Sequence, residues 1–439
     1  MSRLSVLAFV LFLSILPGLA VPAQDGEPAQ PAADFFEAVE VDVVNIDVVV
    51  TSRSGEPVTG LTADDFVLLE GGEPVDITYF TEIRDGRAGA DVDAANGSAG
   101  AVITSGAGSA PAAQPVEPRF MIFLFDQRAL QGVNRQRFAE AAEEFLEDEL
   151  RPGDQALVAY ADRGLTILQG FTDDRARVRA AFRFVTDLSE GGTMKIYGRR
   201  ALIGDMARAS FGIDASGAID QSRIDAQARM FGNQIQQKAR ELYFQTIDSL
   251  GAVAVMVDSL AGIPGRKALV YVGEGLPMRP GESLFQALSN KYRNASNDPL
   301  AQNPDFESLA YDLSAEFTKV VAMAQDADVA IYPVDVAGRR ADLRNDVSYG
   351  APDQLTADVS GGPVYDSKLD LQREQNLRAG MDVLAQGSGG AVLMNSRKYS
   401  DFLDGVERDL GNYYSLGYSP DRERDGQLHR IEVELRDGA

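Results

Sequence analysis

The sequence predicts an α/β chain in which a doubly wound, mostly parallel sheet is inserted in a small β-sandwich-like module built from both chain ends. Three observations predict it. From Phe120 onward, continuous apolar runs alternate with amphipathic helical stretches. Apolar and polar residues alternate with the period of a strand near both ends of the chain. Neither β segment is large enough to close a core by itself.

In chain order, "MSRLSVLAFVLFLSILPGLAVPAQ" places Arg3 before an apolar run that Pro17 and Gly18 interrupt, with Ala20 and Ala23 suited to cleavage. Residues 1–23 are therefore expected to be a signal peptide, the alternative being an uncleaved anchor close to the lower limit of about 17 residues for spanning a bilayer. Export, to the periplasm or beyond the cell, follows as an expectation, with no membrane span after signal cleavage. A spacer of residues 24–38 leads to an N-terminal β module of residues 39–83. This alternates through Val39–Val50, turns at Ser54 and Gly55, places a capped helical turn at "LTADDF", and continues as "FVLLE" and "VDITYF".

Residues 84–118 are rich in Gly, Ala, Ser and Pro and carry too few large apolar groups to order a core, so they are read as a flexible linker. Asp91, Asp93 and Asn96 in this stretch lack the glycine and distal glutamate of a calcium loop.

Residues 119–411 form the α/β part. "FMIFLFD", "QALVAYA", "LTILQGF", "KALVYVG" and "DVAIYPVDV" are the expected strands, with "GAVLM" as a further short one. Helices are expected at "NRQRFAEAAEEFLEDEL", at "TDDRARVRAAFRFVTDL" with Thr172 as its cap, and over Ile219–Ala261. Others are expected over Phe306–Asp326, over Leu371–Gln386 and at "DFLDGVERDLG". Residues 412–439 read as a hairpin packing with the N-terminal module.

Composition excludes several chemistries. The chain has no cysteine and one histidine, His429, which removes Ser-His-Asp hydrolysis, Cys-His catalysis, disulfides and most zinc sites. His429 reads as an exposed strand residue. With 66 acidic against 41 basic side chains, the net charge of -25 argues against nucleic-acid and anionic-lipid partners. "QGSGG" follows a helix instead of opening one, so it stops that helix and is no phosphate cradle. A non-enzymatic protein is the expectation.

Asp126 after "IFLF", Thr193 in the loop "EGGTM" and Glu274 in "YVGEG" fall at the ends of strands where such sheets bind ligands, and three oxygens from three loops suit a hard cation. Their order resembles the von Willebrand factor type A fold. "VNIDVVVTSRSGEPVTGLTADDFVLLEGGEPVDITYF", "GGT", "GRKALVYVGEGLP" and "YYSLGYSPDRERDGQLHRIEVEL" together resemble the acidobacterial von Willebrand factor type A-related proteins. The resemblance spans the mature chain except the linker and three insertions, Gly212–Gln221, Arg279–Asp305 and Gly338–Lys368.

The family implies a type A domain, export, and a role in binding or assembly. It also implies a metal-ion-dependent adhesion site, in which Asp126 takes the first aspartate position and Thr193 the threonine position. Arg128 and Leu130 stand where that pattern has serines, and Glu274 stands where it has aspartate. The site is thus expected to be degenerate.

In the leading reading, Arg128 replaces the ion and pairs with Asp126 and Glu274, and the face Asp126, Arg128, Thr193, Glu274 contacts a protein or extracellular ligand without a cofactor. The alternatives are magnesium or calcium held by Asp126, Thr193 and Glu274, or an Asp126 that caps its loop beside a surface Arg128. At the level of the whole protein, the alternative is a scaffold whose insertions carry the interactions.

Overall fold

A computed structural model describes residues 44–52, 56–88, 118–128, 130, 132–149, 151, 153–188, 193–211, 220–337, 367–420 and 430–436. The expected signal peptide and spacer, most of the expected linker, residues 212–219 and 338–366, and His429 lie outside the described residues.

Five strands form the central sheet: β6 (Phe120–Asp126), β7 (Gln155–Ala161), β8 (Leu165–Thr172), β9 (Lys267–Gly273) and β10 (Val329–Asp335). Their order is β10-β9-β6-β7-β8, parallel except for β8, which folds back antiparallel on β7 through the turn at Asp162–Gly164. The predicted doubly wound, mostly parallel sheet is therefore present. β6, β9 and β10 are buried almost throughout, as apolar strands covered on both faces must be.

The two faces alternate residue by residue. Met121, Phe123 and Phe125 point toward α1 (Gly132–Glu149), α2 (Arg175–Asp187) and α10 (Tyr399–Gly411). Ile122 and Leu124 point toward the second half of α4 (Gln221–Leu260), α8 (Ser314–Asp326) and α9 (Ser367–Ser388).

A third apolar cluster lies away from the sheet. It joins α3 (Thr193–Arg208), the first half of α4, α5 (Glu282–Tyr292) and the short α6 (Pro299–Gln302), through residues such as Ile203, Phe231, Ile235, Phe285 and Leu288. α7 (Pro304–Leu309) follows directly. The stretch 279–305, which carries no predicted element, is thus largely helical.

The small β part has two sheets. β1 (Val44–Val48), β11 (Tyr413–Tyr418), β4 (Tyr79–Arg84) and β5 (Arg87–Ala88) form one, and β12 (Ile431–Leu435), β2 (Phe66–Glu70) and β3 (Glu73–Val75) form the other. Phe66 and Val433 of the second sheet meet Val48, Phe80, Tyr414 and Leu416 of the first. Before β2, Thr62 and Asp65 make a reciprocal capping box around one helical turn, the turn expected at "LTADDF".

Several expected elements differ. β11 and β12 form no hairpin, because β11 is paired on both edges, to β1 and β4, and β12 has to pair elsewhere, with β2. Ordered structure runs past Arg84 into the expected linker: Asp85 and Gly86 take positive φ, the geometry of a tight hairpin turn, and close β4 onto β5.

The helix expected over Phe306–Asp326 breaks between Leu309 and Ser314, where the Asp312 carboxylate accepts the Ser314 N–H at 2.9 Å and starts a new helix. Asp174, not Thr172, caps α2, by accepting the Ala176 N–H at 2.9 Å. "GAVLM" forms only a bridge of Leu393 to Val334. The next ladder bond would need an N–H from residue 333, which is proline and has none.

Candidate functional site

At the carboxyl end of β6, Asp126 has no exposed surface. Its Oδ2 accepts hydrogen bonds from Ser249 Oγ of α4 and from Tyr271 OH of β9, the latter at 2.7 Å. Its Oδ1 accepts the Arg128 N–H at 3.2 Å and faces Arg128 Nε at 3.5 Å. Tyr271 is buried, and its phenol is pushed well above the usual range, first by burial and then by the Asp126 carboxylate beside it, so the hydroxyl remains a donor. Both oxygens of the aspartate are thereby engaged by the chain's own donors.

Arg128 leaves the strand end and is largely covered. Besides Asp126, its Nη1 lies 3.5 Å from Oδ2 of the exposed Asp248, one residue before Ser249 on α4. Glu274 accepts a hydrogen bond from Asn134 Nδ2 of α1 at 3.0 Å. Leu130 is fully buried among the side chains of the first face and stands in no contact with water. Thr193 opens helix α3 and so does not lie in a loop; its side chain is outside the described residues. The structure thus brings Asp126 and Arg128 into contact, and gives Glu274 a partner on a neighbouring helix.

Gln127 between them has a separate use. Its N–H donates to Ala161 O at 2.8 Å, and its Oε1 accepts from the fully buried Arg135, which also donates to the carbonyls of Thr186 and Leu188 at the end of α2. Asp335, at the end of the edge strand β10, is likewise fully buried and accepts the Ala337 N–H at 3.1 Å.

The donor set can be compared with what a hard cation requires. Calcium takes 6–8 oxygens, and magnesium demands an octahedron. Among the described residues, no three acidic or histidine side chains are grouped so as to hold an ion. Asp126 has its oxygens occupied, and a guanidinium lies against it. The described residues do not make such a ligand set.

The sequence did not single out Ser249, Tyr271, Asp248 or Asn134. Tyr271 sits inside an apolar run and Ser249 on the covered face of a long helix, positions that read as core. The only available signal was the strand register: Tyr271 lies opposite Leu124, two residues before the aspartate.

No family model matches the chain, and no curated protein matches it. Solved structures similar to it include an aerotolerance-related membrane protein from Bacteroides fragilis NCTC 9343, with multiple mutations to serines, at 10% identity and a TM-score of 0.26 over 66% of this chain and 98% of that one. They also include a von Willebrand factor type A structure from Catenulispora acidiphila, at 11% identity and a TM-score of 0.29 over 74% and 64% of the two chains. A third is the three N-terminal domains of the type V pili tip protein Mfa5 from Porphyromonas gingivalis, at 10% identity and a TM-score of 0.30 over 83% and 55%.

Proposed function

We propose that the protein is an exported, non-enzymatic binding or assembly protein whose strand-end face, centred on Arg128 and Glu274, contacts a protein or extracellular ligand without a metal ion. One observation carries the metal-independent part: Asp126 is fully buried, and its oxygens accept from Ser249, Tyr271 and Arg128. An entering cation would have to displace two hydroxyl donors and a guanidinium, and would leave the buried Tyr271 hydroxyl without its acceptor at a cost of about 1–3 kcal/mol.

The function itself rests on the sequence resemblance, on the lack of cysteine and on the single histidine, which leave little nucleophilic chemistry. No helix among the described residues is long and apolar enough to cross a membrane.

Calorimetric titration with magnesium and with calcium tests the reading. Neither ion is expected to bind, and Arg128→Glu together with Glu274→Lys is expected to abolish ligand capture. Tight binding of either ion by the unaltered protein overturns the metal-independent site, and unchanged capture by the double variant removes this face from the function.

A further inference from the structure

The helical layer carries apolar surface that its own core does not use. Phe306 and Leu309 lie one turn apart on α7 and are 74% and 53% exposed. Two residues on, the Tyr311 ring meets the Tyr243 ring of α4 at 6.1 Å between centroids, and Tyr243 meets Phe244 at 5.6 Å. Phe244 is 56% exposed. Single exposed apolar residues are ordinary on any protein, whereas the exposed Phe306 and Leu309 followed by the ring row Tyr311–Tyr243–Phe244, itself open at Phe244, make the kind of patch that marks an interaction site.

The row is anchored from below. Tyr311 stacks on the buried Phe285 of α5 at 6.0 Å and donates its hydroxyl to Gln236 O at 3.3 Å. Aromatic groups held in this way lose little freedom when a partner covers them.

The rim is acidic. Asp305 and Glu307 flank Phe306, and Asp312 follows Tyr311. The only described basic group paired with these acids is Arg279, which binds Asp312 at 2.7 Å. Carboxyls crowd here: Glu282 on the adjoining helix is held above its usual range, first by burial and then by Asp305 and Asp312, with Arg279 opposing.

We propose that this strip, Phe306, Leu309, Tyr311, Tyr243 and Phe244, is a docking surface for an apolar peptide segment flanked by basic residues on another protein. The charge selects the occupant. A second copy of this chain would set one acidic rim against another, within a protein of net charge -25, whereas lysine or arginine beside apolar anchors complements the rim. The surface stands independently of the strand-end face.

Fluorescence anisotropy tests it with a labelled amphipathic peptide of leucine and lysine, and with a control carrying glutamate in place of each lysine. The lysine peptide is expected to bind and the control not to. Phe306→Ser with Leu309→Ser is expected to weaken binding about tenfold or more, and Phe244→Ser to weaken it as well, while Lys398→Gln, an exposed change before α10 on the other side of the sheet, leaves it unchanged. All three positions are exposed, so thermal unfolding of these variants should match the parent. Equal binding of both peptides, or of parent and double variant, overturns the proposal. So does sedimentation showing that the parent dimerises and Phe306→Ser does not, which would make a second copy the occupant.

Discussion

Asp126 tolerates full burial because donors from three elements surround it, and each is worth testing singly. Tyr271→Phe keeps the ring and removes one donor from a buried carboxylate, so a loss of about 1–3 kcal/mol in urea unfolding is expected, with the far-ultraviolet dichroism unchanged. Lys291 is only 3% exposed on α5, with its Nζ over the Phe211 ring at 5.6 Å and 3.5 Å from Ala207 O. Burial lowers its pKa from an ordinary 10.5 to about 8.

The folded pKa of Lys291 lies below the unfolded one, so the cost of charging this amine is fully present below pH 8, fades as pH rises, and is absent above 10.5. Lys291→Met is therefore expected to raise stability at pH 7 by about 1–3 kcal/mol, the gain vanishing in unfolding curves taken above pH 10.5. Asp126 and Arg128 were legible in the sequence because a charge at the end of an apolar run stands out. Ser249 and Tyr271 were not, because a hydroxyl on a covered face leaves no mark in a hydrophobic pattern.

Among the elements, α4 ties the layers together, with Phe231 and Ile235 in the helical cluster and Val253 and Met256 against the sheet. Its length was legible from the apolar period over 219–261. The helices around its first half were not. α3 contains Gly198 and Gly204, which depress helix propensity, and α6 is shorter than two turns.

At the start of α5, Gly281 lies against α4; it has φ +84° and would place a Cβ 2.5 Å from that of Ala239. Gly281→Ala has to strain its backbone or push the two helices apart, so a destabilisation of about 2–4 kcal/mol is expected. Hydrogen exchange should localise it, with faster exchange in α5 and the first half of α4 and protection of the sheet retained.

Across the whole molecule, a buried cluster of charges lies at the end of the sheet opposite the candidate site. Arg119 bonds Asp154 through Nε at 2.9 Å and also binds Glu407 of α10, which Arg151 reaches at 2.9 Å. Arg151 in turn lies 3.5 Å from Asp85 in the β4–β5 turn. Burial opposes the charge on Arg119, and its hydrogen bonds to Asp154 and Glu407 outweigh that, raising its pKa. Arg119→Met leaves the covered Asp154 without a guanidinium and Glu407 with Arg151 alone, and is expected to cost about 3–5 kcal/mol, measurable by denaturant unfolding.

At this scale the fold class was legible from the α/β alternation between two β ends. The pairing of those ends was not, because local pattern cannot say that Tyr413–Tyr418 lies between two strands from the other end of the chain.

That central strand also bears on synthesis. β1 and β4 leave the ribosome early, and the strand that must lie between them is made more than three hundred residues later, Val44 pairing with Tyr418. Until then their inner edges have no mate, and closing so long a loop from an unfolded chain is slow. The intervening α/β part shortens the search: once folded, it ends in α10, whose last residue, Gly411, accepts the Gly86 N–H at 3.0 Å and so delivers β11 directly to its slot. The small β part therefore cannot be completed until the α/β part between its strands has been made.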